Sequence, residues 1–230
     1  MKNGCILFTC EHGGNTVPEE YSYLFRGCDD LLNSHRGFDP GALEMANSIS
    51  SCMNAPLVST TVTRLLVDCN RSLHRRTLFS SITRNLDHDE KERILQKYYY
   101  PYREEAMETM RKLVSEYKRV THISVHSFTP VLNGRVRKTD IGILYDPHRQ
   151  REYMVGKKMQ KDLRKSTGLR VWRNYPFRGW PDGLVAAFRR LYNDEQYAGI
   201  ELELNQQLYA EKNLSWGSLT DQLVESIKTC

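Results

Sequence analysis

Three apolar segments of the chain, each with the length of a buried strand, are followed directly by residues that can bind a metal, transfer a proton or hold a substrate. These residues are Glu11 and His12 after the first segment, Asp68, Asn70 and Arg71 after the second, and His126 after the third. In an open α/β sheet, the ligand-binding crevice lies at the carboxyl ends of the strands. We therefore expect these side chains to meet at one edge of a sheet and to form a site.

His12 and His126 are the candidate metal ligands in this set. Zinc binds neutral imidazoles and carboxylates, and a catalytic zinc site keeps one position open for water. A single histidine is more often a hydrogen-bonded residue than a ligand, but two at corresponding strand ends favour a shared metal. The chain has no H-E-x-x-H motif, so this interpretation depends on the sheet bringing the two histidines together.

Two carboxylates alternate with apolar residues in the segment 199–204. Glu201 and Glu203 are two positions apart, and residues two apart in a strand point to the same face. One interpretation is an edge strand with one wet face. The other is a general base whose pKa is raised near a metal-bound water.

Other polar residues could complete such a site. Asp39 precedes a predicted helix at 41–53, where it is either a turn or N-cap residue or a metal-ligating carboxylate. Asn70 and Arg71 could hold a substrate carboxylate, since a guanidinium offers two parallel hydrogen bonds to it. The loop 174–183 is rich in aromatic residues, glycine and proline, and loops commonly line binding sites.

Short apolar runs alternate with helical stretches along the chain, which predicts α/β layering around a sheet. The predicted strands are 4–10, 58–62, 65–67, 120–125, 141–145, 169–172 and 199–204. The predicted helices are 41–53, 89–117 with a division at Pro101, 149–165, and a last one from about residue 218. No internal repeat, low-complexity segment or Gly/Ser linker interrupts the sequence, so we predict a single domain over residues 1–230.

The 230 residues are 40% hydrophobic and 27% charged, with a formal net charge of +5, which excludes a disordered or fibrous protein. No apolar run approaches the ~20 residues that cross a bilayer.

The six cysteines form no C-x-x-C pair, as expected for reduced thiols in a cytoplasmic protein. Basic residues concentrate at 71–84 and 135–178, which fits a solvated surface, an anion-binding pocket or a nucleic-acid face.

Seven short blocks of sequence carry a resemblance to a known family. The blocks are residues 11–18, 38–41, 64–71, 100–102, 126–130, 174–179 and 199–205. In this order they resemble the N-formylglutamate amidohydrolase family. Each block is short, and it is their order and spread over residues 5–210 that makes the combination specific.

The resemblance implies a zinc-dependent amide hydrolase with one zinc per chain. The implied fold is phosphorylase/hydrolase-like and similar to that of zinc carboxypeptidases, namely a single three-layer α/β/α domain with a mixed sheet. His12 and His126 would be metal ligands, and Glu203 would be the catalytic base, with Glu201 as the alternative. The residues implied for binding and orienting the substrate are Asn70, Arg71, Arg64 and Arg178, and Arg71 is grouped with the catalytic residues because it places the substrate.

The sequence departs from the carboxypeptidase pattern at Asn15, where those enzymes have a ligating glutamate three residues after the first histidine. We therefore expect the third ligand to be Asp39, which lies in a matching block, or else Glu11.

The expected partner is a small N-acyl amino acid such as N-formylglutamate. The alternatives are a metallopeptidase or cell-wall amidase on the same fold, or a non-catalytic module for a polyanion or nucleic acid. Of these partners, we expect nucleic acid least.

Overall fold

A mixed sheet forms the centre of the computed structural model, which describes residues 2–211 and 216–228. The strands, in chain order, are β1 (Cys5–Cys10), β2 (Leu57–Ser59), β3 (Val120–Phe128), β4 (Val131–Leu132), β5 (Arg135–Val136), β6 (Ile141–Leu144), β7 (Val171–Arg173) and β8 (Tyr197–Asn205). Six of them form the sheet in the order β2-β1-β3-β8-β6-β7. All neighbours are parallel except β8 and β6, and β4 and β5 form a separate antiparallel hairpin.

Helices cover the sheet. Those among the described residues are α1 (Asp29–Leu32), α2 (Ala42–Met53), α3 (His88–Ile94), α4 (Tyr100–Glu116), α5 (Gln150–Thr167), α6 (Leu184–Leu191), α7 (Gln206–Glu211) and α8 (Trp216–Lys228), with a 3-10 helix at Glu19–Phe25 and a π-helical segment at Leu95–Tyr99. Helices α2, α5 and α8 pack on one face, where Met45, Met159 and Leu223 enter one hydrophobic cluster. Helices α4 and α6 place Met110 and Phe188 in a second cluster on the other face. The predicted three-layer α/β/α arrangement with a mixed sheet is therefore confirmed.

Strand β3 decides which side of the sheet carries polar groups. Its side chains alternate between the two faces, and Ile123 and Val125 enter the cluster formed with α2, α5 and α8. His122, Ser124 and His126 therefore point to the opposite face, although all three are buried. The polar face of β3 lies beneath the layer that contains α4 and α6.

The predicted strand at 65–67 is wrong. The chain turns there, and the last extended contact before it is an isolated bridge between Val62 and Thr16. The side chains of residues 65–67 are buried, and the Thr83 hydroxyl donates to the Leu66 carbonyl at 3.0 Å, which gives this backbone a partner without a strand. A short buried apolar run does not by itself distinguish a strand from a packed turn.

The long helical region at 89–117 changes geometry before Pro101 rather than at it. The chain is α-helical to Ile94, forms a π-helical segment over Leu95–Tyr99, and is α-helical again from Tyr100. Helical geometry continues through Tyr99 and Tyr100, so Pro101 does not divide the region into two helices. The hydrogen bond that its missing N–H removes coincides with the π-helical segment directly before it.

No helix within residues 2–211 and 216–228 has the length and apolar character needed to cross a membrane. The five cysteines in these residues are free thiols, and Cys10 and Cys69 are buried. Cys230 lies outside the described residues.

Candidate metal centre and cleft

A cleft of about 880 Å³ opens at the carboxyl ends of β1, β3 and β8. All nine residues that the sequence predicts for the site line this cleft: His12, Asp39, Arg64, Asn70, Arg71, His126, Arg178, Glu201 and Glu203. They come from segments separated by up to 191 positions in the chain, so the sheet brings them together as expected. Their individual roles remain predictions.

The ends of the central strands place the two histidines. His12 is the second residue after β1, and its carbonyl accepts a hydrogen bond from the backbone N–H of Asp39 at 2.9 Å. This bond holds the loop before α2 against the end of β1. His126 lies on β3 and is in register with Glu203 on β8. Two backbone contacts thus fix the relative positions of four candidate site residues.

His12, Asp39 and His126 form a buried group of potential metal ligands. One atom from each residue lies within 4.8 Å of the other two. Asp39 Oδ2 is 3.3 Å from His12 Nδ1 and 2.8 Å from His126 Nδ1. Burial alone would raise the pKa of Asp39, but the two histidines hold that pKa well below its usual range. Asp39 is therefore ionised, as a metal ligand must be.

A second carboxylate lies behind each histidine. His12 Nε2 is 2.7 Å from Asp68 Oδ1, and His126 Nε2 is 3.1 Å from Glu11 Oε2. Metal-ligating histidines almost always donate their other ring N–H to such a partner. The two imidazoles and the carboxylate of Asp39 therefore fit a zinc ion in both ligand type and surroundings. Glu11 faces the far side of the His126 ring, whereas Asp39 lies between the two histidines.

Glu203 and Glu201 face the same cleft from β8. This strand lies between β3 and β6, so the interpretation of an edge strand with a wet face is wrong. Glu203 is 6% exposed, and its Oε2 has no hydrogen-bond partner among the described residues. Burial, together with the charges of Asp39 and Glu201, raises the pKa of Glu203 to about 8. Burial also raises the pKa of Glu201.

The residues predicted to bind substrate differ in how far their polar groups are already engaged. Arg64 contacts Asp68 Oδ2 at 2.9 Å and Asp39 Oδ1 at 3.4 Å, so its guanidinium supports the acidic residues around the metal ligands. The Asn70 side-chain oxygen accepts from the Leu184 backbone N–H at 2.8 Å. The one ion pair of Arg71 among the described residues joins its Nε to Asp68 at 3.8 Å, which leaves its terminal nitrogens for a ligand.

The loop 174–183 forms one wall of the cleft and carries Arg178, which is exposed and lies over the Trp180 ring at 5.5 Å. Gly142 on β6 lets this loop approach the sheet, because a Cβ at Gly142 would lie 2.3 Å from the carbonyl oxygen of Tyr175. The same Cβ would lie 3.1 Å from the Cβ of Glu203. Gly142 therefore fixes the distance between the loop and the candidate base.

We expect Gly142→Ala to lower the free energy of unfolding by about 1–3 kcal/mol, as an overpacked core position does. The backbone of Tyr175 cannot move aside without shifting the loop. Urea denaturation measures the effect. Gly4→Ala is the matched control, since its Cβ would meet the Arg119 carbonyl at an ordinary 3.5 Å. Equal stability of the two variants would contradict the role given to Gly142.

Sequence reasoning missed three features of this site. It placed Asp68 at the same sheet edge as His12 but did not identify it as the carboxylate behind the His12 ring. It gave His122 no special setting, whereas this side chain is fully buried between Thr9 and Tyr197 at 2.8 Å from each hydroxyl. It also missed Arg137, whose guanidinium lies between two aromatic rings in the cleft wall. No local pattern around Arg137 indicates this placement.

Comparisons with known proteins agree with the fold. The family model for N-formylglutamate amidohydrolase matches residues 4–210. The structure is similar to that of a gene product from Agrobacterium tumefaciens, at 27% sequence identity and a TM-score of 0.80, over 99% of this chain and 92% of that one. It is also similar to N-formylglutamate amidohydrolase from Ralstonia eutropha JMP134, at 16% identity and a TM-score of 0.74, over 100% and 93% of the two chains. No match was found among curated proteins.

Proposed function

The chain belongs to the N-formylglutamate amidohydrolase family, and on this basis we propose that it is a zinc-dependent hydrolase of N-acyl amino acids, in particular N-formyl amino acids such as N-formylglutamate. One observation carries the proposal: in a cleft lined by arginines, three potential metal ligands lie beside a buried glutamate whose Oε2 has no hydrogen-bond partner among the described residues. The reaction adds water across the amide. A C–O bond forms, the C–N bond breaks, and a proton from water goes to the leaving amine.

His12, Asp39 and His126 would hold one zinc ion per chain, and Asp68 and Glu11 would orient the two imidazoles from behind. Zinc supplies Lewis acidity, which acidifies water and polarises the amide carbonyl. Three protein ligands leave a coordination position open, as catalytic zinc sites require.

Glu203 would take a proton from the attacking water and pass it to the nitrogen of the leaving amine. Its raised pKa makes its carboxylate a stronger base than an exposed glutamate. The nearby charges of His126 and Arg64 oppose this rise only in part, so the ionised form that can accept the proton increases as the pH approaches 8. Glu203 Oε2 has no hydrogen-bond partner among the described residues, so no hydrogen bond has to break before it accepts the proton. Glu201 is the alternative base, on the same face of β8.

Arg71 would hold the α-carboxylate of the substrate. Its backbone is fixed by the Tyr99 hydroxyl, which donates to the Arg71 carbonyl at 2.7 Å, and by its own N–H, which donates to Asp68. A planar guanidinium on a fixed backbone suits bidentate binding of a carboxylate. Arg178, exposed in the loop 174–183 that lines the same cleft, would contact the remainder of an anionic substrate.

We expect Arg71→Ala to lower kcat/KM on the order of 10- to 100-fold, mainly through KM, because one charged hydrogen-bonding group to the substrate is lost. Arg71→Lys should recover only part of the loss, since an ammonium cannot bind a carboxylate with a planar fork. Steady-state kinetics measures both variants. Arg111→Ala is the control, because it removes an arginine from the exposed surface of α4, outside the cleft, and it should leave KM unchanged. An unchanged KM in Arg71→Ala would contradict the assignment.

A substrate panel tests the proposal as a whole. N-formyl, N-acetyl and N-succinyl derivatives of several amino acids would be incubated with the zinc-loaded protein, and the released amine would be measured. We expect turnover of at least the N-formyl members. Turnover of none, together with cleavage of a peptide or cell-wall amide, would replace this substrate class by the second hydrolase hypothesis. Metal-free protein that binds polyanions with a steep salt dependence would favour the binding module instead.

A further inference from the structure

Glu11 is a charged side chain buried at a place where it cannot reach the substrate. Its side chain has no exposed surface. Four donors surround it: the Tyr102 hydroxyl at 3.0 Å from Oε1, the Ser124 hydroxyl at 2.7 Å from Oε2, His126 Nε2 at 3.1 Å from Oε2, and the Thr9 hydroxyl. Burying a carboxylate is unfavourable unless such partners compensate. The local arrangement therefore serves to keep a carboxylate in contact with His126.

The position of Glu11 makes it a link between two strands. It follows β1 directly, next to His12, yet its carboxylate reaches His126 on β3. His12 itself is supported by Asp68, from a different segment. Each of the two candidate metal ligands thus has its own carboxylate behind it. For Glu11 no other reason for burial is evident, because Tyr102 and Ser124 could bond to neutral groups.

We propose that Glu11 is a positioning residue that fixes the ring orientation and tautomer of His126, so that Nδ1 presents its lone pair to the metal. This inference rests on the proposed metal-dependent function. It assigns Glu11 a place behind a ligand, not the place of a ligand that the sequence offered as an alternative to Asp39.

Hydrogen-bond directions support this assignment. The Ser124 hydroxyl donates its proton to Glu11, and its oxygen is 2.8 Å from His126 Nε2. A carboxylate has no proton to give, and the Ser124 proton is already used. On this side the hydrogen therefore belongs to His126 Nε2, and on the other side Nδ1 faces Asp39 Oδ2 at 2.8 Å. A metal-ligating imidazole is neutral, so a proton kept on Nε2 leaves the Nδ1 lone pair for the metal.

The experiment compares zinc affinity in two variants that lose the charge of a buried glutamate. Glu11→Gln keeps the size of the side chain, but its amide cannot offer two accepting oxygens. Glu152→Gln is the matched control: Glu152 is also fully buried, and it pairs with Arg189 and accepts from the Gly199 N–H near the start of β8. Zinc dissociation constants would be measured by competition with a chromophoric chelator. The visible spectra of the cobalt-loaded proteins would report ligand geometry.

We expect Glu11→Gln to bind zinc 10- to 100-fold more weakly than wild type, as loss of an outer partner of a ligating histidine typically does, and to have an altered cobalt spectrum. Glu152→Gln should lower thermal stability but leave zinc affinity and the cobalt spectrum as in wild type. Folded Glu11→Gln with wild-type zinc affinity would overturn the inference, as would equal losses in both variants. If Glu11→Gln misfolds, Ser124→Ala is the second variant, because it removes the hydroxyl that contacts both Glu11 and His126. It should also weaken zinc binding, and unchanged zinc affinity in Ser124→Ala would overturn the inference.

These outcomes separate the inference from the proposed function. A wild-type protein that binds zinc and depends on Glu11 for affinity, but hydrolyses no N-acyl amino acid, would leave the positioning role in place and remove the proposed substrate class. A wild-type protein with no zinc affinity would overturn both. A wild-type protein that hydrolyses the substrates, with a Glu11→Gln variant of normal zinc affinity, would overturn the positioning role alone.

Discussion

Replacing Glu203 by glutamine is expected to lower kcat by roughly 10²- to 10⁴-fold, the contribution of a positioned general base. The amide of glutamine has nearly the size of the carboxylate but cannot accept a proton from water. Metal content should stay at the wild-type level, because Glu203 is not among the clustered ligands. Stability should not fall either, since the variant removes a buried carboxylate whose Oε2 has no partner among the described residues.

Three measurements check this prediction: kcat with saturating substrate, zinc per chain by elemental analysis, and the unfolding midpoint of the metal-free protein. Glu105→Gln on the exposed surface of α4 is the control for the same chemical change outside the cleft. Glu201→Gln is the decisive comparison, because Glu201 faces the same cleft two residues earlier on β8. A large loss of kcat in Glu201→Gln with near-normal turnover in Glu203→Gln would exchange the two roles.

The proximity of His12 to His126 could be predicted from the sequence, because it follows from a general property of parallel sheets. Both histidines come at or near the ends of apolar segments, and the ends of neighbouring parallel strands meet. The spacing of Glu201 and Glu203 could be predicted for the same reason, from the two-residue repeat of a strand. What the pattern left open was whether their face is wet, and only the strand order, with β8 between β3 and β6, answers that.

Hydrogen-bond partners could not be predicted, because they join residues far apart in the chain. Arg64 and Asn70 remain predicted substrate-binding residues, but the sequence did not show that Arg64 also contacts Asp39 and Asp68. Nor did it show that the Asn70 side-chain oxygen accepts from the backbone N–H of Leu184, 114 positions away. A sequence shows that an arginine or amide is present near a site. It does not show which acceptors and donors are already used.

The wrong strand at 65–67 shows a related limit. Its apolar residues are buried as predicted, yet the backbone turns, and the Thr83 hydroxyl, 17 positions after Leu66, donates a hydrogen bond to the Leu66 carbonyl. The error did not displace the residues that follow, since Asp68 and Asn70 still reach the cleft region at the ends of the strands. Burial and site location were thus predictable here, while the backbone path was not.

Replacing His12 by alanine is expected to remove the metal and, with it, turnover. Wild-type protein should contain about one zinc per chain, as a site with three protein ligands does. In the variant, Asp39 and His126 alone would have to hold the ion, and Asp68 would lose the imidazole at 2.7 Å that it contacts. We therefore expect zinc content far below one per chain after dialysis, and no turnover above background until a large excess of zinc is added.

His74→Ala is the matched control for His12→Ala, because His74 also lines the cleft but is exposed and lies outside the ligand group. It should keep its zinc. The pair of variants also separates an enzyme from a polyanion-binding module, since both remove one imidazole from a cleft rich in arginines. A module would lose affinity for a polyanion such as heparin to a similar small extent in the two variants, whereas a metal-dependent hydrolase loses its activity in His12→Ala alone. Full zinc content in His12→Ala would remove this residue, and the cluster built on it, from the metal site.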